Sequence, residues 1–184
     1  MPANKKSLRE AMQARLLAQS AEERLRRSLA IQKKLWALPA FKNAGLVLFF
    51  ASMPEEVNTH VMIDLALHEG LRVALPCSDL ASRKLTFYQI RDRKMDLRAG
   101  VYGIMEPDAA LTRPVAVKDA GLVIVPGVVF DRSHRRIGHG AGFYDRLLAE
   151  MGSTPKIGVA YSFQVTDEVP QEIHDVALDD VITD

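Results

Sequence analysis

The sequence predicts an α/β fold, a three-layer α/β/α sandwich around a mainly parallel, Rossmann-like sheet. Two observations predict it. From Gly45 onward, strand-sized apolar runs alternate with stretches of helical period, the pattern of repeated βα units. Proline and glycine then close those runs, as at Pro126-Gly127 and Gly152. The 184 residues suit a single domain (1–184) with a substantial core, on which residues 1–38 pack as a helical segment.

The first segment reads as two helices. Leu8, Met12, Leu16 and Leu17 share one face, and Lys5 and Arg9 lie one turn apart on another. Ser20 and Glu23 have the spacing of a capping box. Leu25, Leu29, Leu35 and Trp36 are expected as the buried face of the second helix, which Pro39 ends. Leu46–Phe50 reads as a buried strand with 53–57 as its exit loop. Asn58 or Thr59 can cap a helix that runs to about Glu69 and stops at Gly70. Arg72–Leu75 and Leu85–Gln89 read as short strands. Residues 91–118 show no clear period, and a loop of that length is more often a functional lid than a spacer. Leu122–Val125 is the next strand, followed by a glycine turn, a helix to about Met151 and a strand near Lys156–Tyr161. Val176–Ile182 is expected to add an edge strand. In parallel sheets ligands collect at the carboxyl ends of the strands. The loops at 52–57, 126–131 and 138–142 are therefore expected to face one crevice.

Composition is that of a globular protein, 48% hydrophobic and 26% charged, and the longest apolar runs are too short to span a bilayer. Residues 1–9 hold no apolar signal core, so a cytoplasmic location is expected. Cys77 is the only cysteine, which excludes an internal disulfide and a cysteine-built zinc site; it reads as a small buried side chain. The net charge of +1 is unevenly spread. Residues 1–36 hold nine Lys/Arg against three Asp/Glu, whereas residues from Gln164 onward hold seven acids and no Lys or Arg. The basic start is either a solvated helix face or a source of cations for an anionic ligand.

Chemistry concentrates at Arg135-Arg136-Ile137-Gly138-His139-Gly140-Ala141-Gly142-Phe143-Tyr144-Asp145. Glycines let a backbone turn through positive φ and present its N–H groups, and a helix starting there adds more. The spacing is neither a Walker loop nor a strand-borne dinucleotide fingerprint. A tight strand-to-helix turn is the plain alternative, but a guanidinium at Arg136 beside such N–H groups suits a polyphosphate. Asp145 is either a carboxylate favoured by the helix dipole or a magnesium ligand against that polyphosphate. Glu56 and Glu55 are either solvated loop acids or, in the case of Glu56, a reader of a polar heterocycle. Of the five histidines, His60 and His68 read as helix-surface residues, and His139 alone is placed for function.

The segment Arg136 to Asp145 resembles the 5-formyltetrahydrofolate cyclo-ligase (methenyltetrahydrofolate synthetase) family. The resemblance extends to Lys5-Lys6-Ser7-Leu8-Arg9, Met53-Pro54-Glu55-Glu56-Val57-Asn58-Thr59, Gly103-Ile104-Met105-Glu106-Pro107, Val125 to Asp131 and His174 to Asp179. It implies that Lys5 and Arg9 contact ATP phosphates and that the residues from Arg136 through Tyr144 (Ile137, Gly138, His139, Gly140, Ala141, Gly142 and Phe143 between them) wrap the nucleotide. Asp145 and Asp175 would hold magnesium. Glu56 would bind the pterin, and Ala51, Tyr102 and His139–Phe143 would line the folate pocket. Two positions depart from the family pattern: His139 stands where arginine or another large polar residue is common, and Phe143 replaces the first tyrosine of a Tyr-Tyr-Asp ending.

The implied reaction is the ATP- and magnesium-dependent closure of 5-formyltetrahydrofolate to 5,10-methenyltetrahydrofolate, with Lys5, Arg9 and Arg136 neutralising charge. A monomer acting on small molecules, without nucleic acid or membrane, is expected. One rival is a paralogue using ATP on another small substrate. The other is a nucleic-acid-binding module built on the basic first 36 residues, in which Trp36 is the sole aromatic.

Overall fold

The computed structural model describes residues 4–173 and 175–184, with backbone alone at Tyr102. In chain order the elements are α1 (Lys5–Leu17), α2 (Ala21–Ala37), α3 (Pro39–Lys42), β1 (Leu46–Leu48), α4 (Thr59–His68), β2 (Arg72–Asp79), β3 (Lys84–Ile90), β4 (Leu97–Ala99), β5 (Met105–Pro107), β6 (Arg113–Val115), β7 (Leu122–Val125), β8 (Val129–Asp131), β9 (Arg136–Ile137), α5 (Phe143–Glu150), β10 (Lys156–Ala160), β11 (Val165–Thr166) and β12 (Asp180–Thr183).

A central sheet runs in the order β12-β10-β7-β1-β2-β3-β6. The strands from β12 to β2 are parallel, and β3 and β6 are antiparallel additions at one edge. Strand periodicity divides the core. Val47, Phe49, Leu122 and Ile124 face Met12 and Leu16 of α1, Ile31 and Leu35 of α2 and Met62 and Ile63 of α4. Leu46, Leu48, Val123 and Val125 face the other way, toward Leu147 and Leu148 of α5. Strands apolar on both faces must be covered on both, so the three-layer α/β sandwich follows from the residues themselves.

Local signals hold at the helix ends. Ser20 and Glu23 form the reciprocal capping box, and the Asn58 side chain accepts from the backbone of His60 and Val61. Gly70 and Gly152 take positive φ where their helices stop. The expected face of α2 holds at Leu35, which is buried, and is corrected at Leu25 and Leu29, which stay 47% and 46% exposed while Ser28 and Ile31 are buried in their place. Ser28 is drawn inward by polar partners, since its hydroxyl accepts from Asn58 N (3.0 Å) and lies 3.4 Å from the Tyr161 hydroxyl. Leu17, expected on the buried face of α1, is 68% exposed.

Residues 91–118 are not an open loop. Asp96 accepts from the backbone of Arg91 and Asp92 at 2.7 and 3.2 Å, and Asp108 N donates to the Asp96 carbonyl at 2.8 Å. These bonds fold a β4–β5 hairpin and an edge strand, β6. A small sheet, β11-β8-β9, also goes beyond the sequence reading. His60 is not a simple surface residue: its Nε2 lies 3.0 Å from the Ser52 carbonyl, and burial lowers its pKa. Among the described residues, no helix is long and apolar enough to cross a membrane.

Candidate active site

The chain reverses its direction of travel across the sheet between β1 and β7. Strand-exit loops diverge at such a point and leave a crevice at the carboxyl ends. A cleft of about 670 Å³ lies there, bounded by Phe50 and Ala51 after β1, Pro76 and Ser78 on β2, and Pro126 after β7. The exit loops thus meet as expected.

The β8–β9 hairpin delivers Arg136. Asp131 is buried, and its carboxylate accepts from Ser133 N, Arg135 N and Val169 N at 2.9, 3.0 and 2.9 Å. Three backbone donors satisfy the buried charge and fix the turn. Arg136 pairs with Phe130 in the ladder, and its side chain is only 4% exposed. Its Nη2 donates to Asp145 Oδ1 at 2.8 Å, while its buried Nε has no partner among the described residues. Burial lowers the Arg136 pKa; Asp145, Tyr144 and Asp175 oppose that shift. The Tyr144 ring lies 5.9 Å from the guanidinium carbon, and its buried hydroxyl also lacks a partner. Burial pushes that phenol's pKa up.

Glycine is required in the turn itself. Gly140 and Gly142 adopt φ of +103° and +73°, which L side chains rarely take. Gly142 caps α5 without a side-chain bond, which leaves the first N–H groups of that helix open. From α1, Arg9 Nε donates to the Gly138 carbonyl at 2.8 Å and anchors the turn. Lys5, one turn earlier, donates to Asp175 Oδ2 at 2.7 Å and lies 3.2 Å from Glu172 Oε1. Burial lowers the Lys5 pKa, but its bonds to Asp175 and Glu172 outweigh that and leave it raised.

The opposite wall is less cationic. Thr59 Oγ1 donates to the Phe50 carbonyl at 2.6 Å, and Ser52 and Thr59 exchange backbone-to-hydroxyl bonds at 3.1 Å. This locks the loop leaving β1 and aims Glu56 inward. Glu56 Oε2 accepts from Met53 N at 2.8 Å, Oε1 lies 2.9 Å from His139 Nε2, and the Glu56 carbonyl accepts from Tyr161 Oη at 2.8 Å. The Glu56 side chain is 10% exposed. Leu85, Ile104 and Met105 complete an apolar wall over the ends of β2 and β3. Cys77 is half-buried just outside the lining; burial, helped by Glu106, pushes its thiol up to about 11, consistent with a side chain that is no nucleophile.

Every residue expected from the sequence, with one exception, lines this cleft: Lys5, Arg9, Ala51, Glu56, Arg136 to Asp145 and Asp175. The exception is Tyr102, whose side chain lies outside the described residues. His174, quoted in the tail motif, also lies outside them. Glu106, Glu172 and Ser78 join the cleft without having been given a role. Glu106 and Glu172 stood in or beside quoted motifs, so only their side-chain direction was missing.

The donor set fits magnesium held together with phosphate. Magnesium bound to a polyphosphate uses one or two carboxylates and keeps its other positions for phosphate oxygens and water. Asp145 and Asp175 line one cleft and both act on Arg136. No group of three or more potential ligands occurs among the described residues, so an all-protein metal cage is not what they build.

The sequence matches the profile of the 5-formyltetrahydrofolate cyclo-ligase family over residues 1–184. The chain belongs to that family. A cyclo-ligase relative from Mycolicibacterium smegmatis is 32% identical over 186 residues, covering 99% of this chain and 94% of the relative. The "5-formyltetrahydrofolate cyclo-ligase" of Mus musculus is 29% identical, covering 97% and 92%. The solution structure of Aquifex aeolicus 5,10-methenyltetrahydrofolate synthetase superposes with a TM-score of 0.84 at 32% identity, covering 97% of this chain and 88% of the other. This cyclo-ligase-family chain is accordingly an enzyme of the ligase class. In the cyclo-ligase frame, His139 finds its partner in Glu56, a pairing that the sequence left unexplained.

Proposed function

We propose that this chain converts 5-formyltetrahydrofolate and ATP into 5,10-methenyltetrahydrofolate, ADP and phosphate, as a cytoplasmic monomer. The observation that carries the reading is the unfinished cationic end of the cleft. Arg136 Nε and the Tyr144 hydroxyl are buried without partners among the described residues, beside Lys5, Arg9 and the open N-terminus of α5. Buried polar groups left unpaired are costly, and a polyphosphate would satisfy them.

The formyl oxygen attacks the γ-phosphorus and ADP leaves, giving an imidate-like phosphate on the former formyl carbon. Nitrogen 10 attacks that carbon, loses its proton, and the carbon–oxygen bond breaks to release phosphate. Arg136, Lys5 and Arg9 align the polyphosphate and hold its charge, and Glu56 accepts N–H donors of the pterin edge. Asp145 and Asp175 would hold magnesium, which neutralises and orients the phosphates when bound. Ala51, Tyr102 and Phe143 would supply the remaining folate contacts. No acid–base triad is needed, in keeping with a cleft rich in cations and glycines.

The basic surplus of the first helices turns toward the acidic tail. Lys5 reaches Asp175, Arg27 lies 3.4 Å from Asp184, and Lys34 donates to the Thr183 carbonyl at 2.7 Å. That pairing favours a small-molecule enzyme over a nucleic-acid surface. Substrate carrying a heavy-oxygen label in the formyl group tests the chemistry. The label is expected in the released phosphate; its appearance in water or ADP would exclude phosphorylation of the formyl oxygen.

A further inference from the structure

Glu106 is a further carboxylate in the cleft, carried by a segment with no role in the phosphate end. It sits on β5, in the hairpin that overhangs the carboxyl end of β2 and the amino end of β3, and lines the cleft beside Ile104 and Met105. Its Oε1 accepts from Ser78 N at 3.0 Å. One residue earlier on β2, the Cys77 thiol donates to the Pro107 carbonyl at 3.2 Å. Two successive residues of β2 therefore clasp two successive residues of β5.

The other end of the hairpin is cut to fit the same side chain. A Cβ on Gly100 would stand 2.5 Å from Cγ and Cδ of Glu106, closer than real Cβ atoms come. Gly100 has a φ of −111°, so no backbone strain demands glycine there. The demand is space for the Glu106 carboxyl. Gly100 N also donates to the Ile104 carbonyl at 2.8 Å, closing the turn that carries Ile104 and Met105.

We propose that Glu106 is a positioning residue: its carboxyl, seated against Gly100 and bonded to Ser78 N, fixes the Ile104–Met105 wall against which the folate ring system packs. This rests on the functional reading above. The wall lies over β2 and β3, whereas Lys5, Arg9 and Arg136 come from α1 and the β8–β9 hairpin. Loss of the clasp therefore acts on folate and spares ATP.

The test is steady-state kinetics of the full chain with each substrate varied in turn. Glu106→Ala is expected to raise KM for 5-formyltetrahydrofolate roughly tenfold, a cost typical of misplaced substrate-positioning groups, with KM for ATP nearly unchanged. Glu106→Gln keeps an oxygen for Ser78 N and is expected to restore the folate KM. Gly100→Ala is expected to reproduce the Glu106→Ala defect, and to add nothing when combined with it, because the two act through one contact. An unchanged folate KM in Glu106→Ala overturns the proposal. So does a parallel rise in the ATP KM, which marks general damage. A Glu106→Gln variant as impaired as Glu106→Ala also overturns it, since the charge itself would then be touching substrate. A wild-type chain that forms no methenyl product overturns the functional reading, and this inference with it; an active wild type with an unaffected Glu106→Ala overturns this inference alone.

Discussion

His139 Nε2 stands 2.9 Å from Glu56 Oε1, and this contact joins the glycine turn to the loop that leaves β1. One side of the contact belongs to the proposed nucleotide cradle and the other to the proposed pterin reader. Glu56→Ala is expected to raise the folate KM roughly ten- to a hundredfold, the loss of a hydrogen bond to a charged group, about 1.5–3 kcal/mol. The ATP KM should be unaffected. His139→Ala should have a smaller effect that touches both KM values, because the ring belongs to both walls. Varying each substrate separately reads this out.

Arg136 is buried in an ion pair with Asp145, and Lys cannot reproduce its planar fork. Arg136→Ala is expected to lower kcat roughly a hundredfold or more, as does removal of a preorganised charge-stabilising donor. Arg136→Lys should recover only part of it. Circular dichroism should show both variants folded, since Asp145 is partly open to water and can be hydrated when its partner is gone.

The Tyr144 hydroxyl offers a sharper separation of stability from function. It is buried without a partner among the described residues, so Tyr144→Phe removes an unsatisfied group and should stabilise the free protein by about 1 kcal/mol. If the hydroxyl is kept for a ligand, the same variant should bind nucleotide more weakly. Thermal melts with and without ATP measure both effects; a variant less stable in both conditions contradicts the account.

Lys5 ties α1 to the tail with a pKa raised above its ordinary 10.5, burial being outweighed by Asp175 and Glu172. A raised folded-state value means that the stabilisation is complete below about pH 10.5 and fades as pH rises through the folded value. Lys5→Met should therefore melt lower than wild type at neutral pH, with the gap closing in strong alkali. A gap that persists in alkali would show that the ion pair is not its source.

Much of this architecture was legible because it rests on local rules. The capping box at Ser20, the stop at Gly70 and the strand at Leu122–Val125 all follow from residue type and spacing. The misjudged features depend on distant partners. Ser28 is buried because Asn58 N and Tyr161 need its hydroxyl, which no helical period in α2 could announce. The β4–β5 hairpin depends on Asp96 collecting backbone donors, and so it read as a loop. In the site, the glycine turn pointed to itself, whereas Lys5 and Asp175, 170 positions apart, were brought in by resemblance alone. Glu106 lay within a quoted motif, yet its place in the cleft depends on a bond to Ser78 that sequence does not display.

The central claim is tested most directly by the near-ultraviolet absorbance of the methenyl product when the purified chain receives 5-formyltetrahydrofolate, ATP and magnesium. The account predicts that the chromophore grows with one ADP formed per turnover, fails to form when ATP or magnesium is omitted, and is lost in Arg136→Ala. A chain that produces no chromophore with all three present, or produces it without ATP, would contradict it.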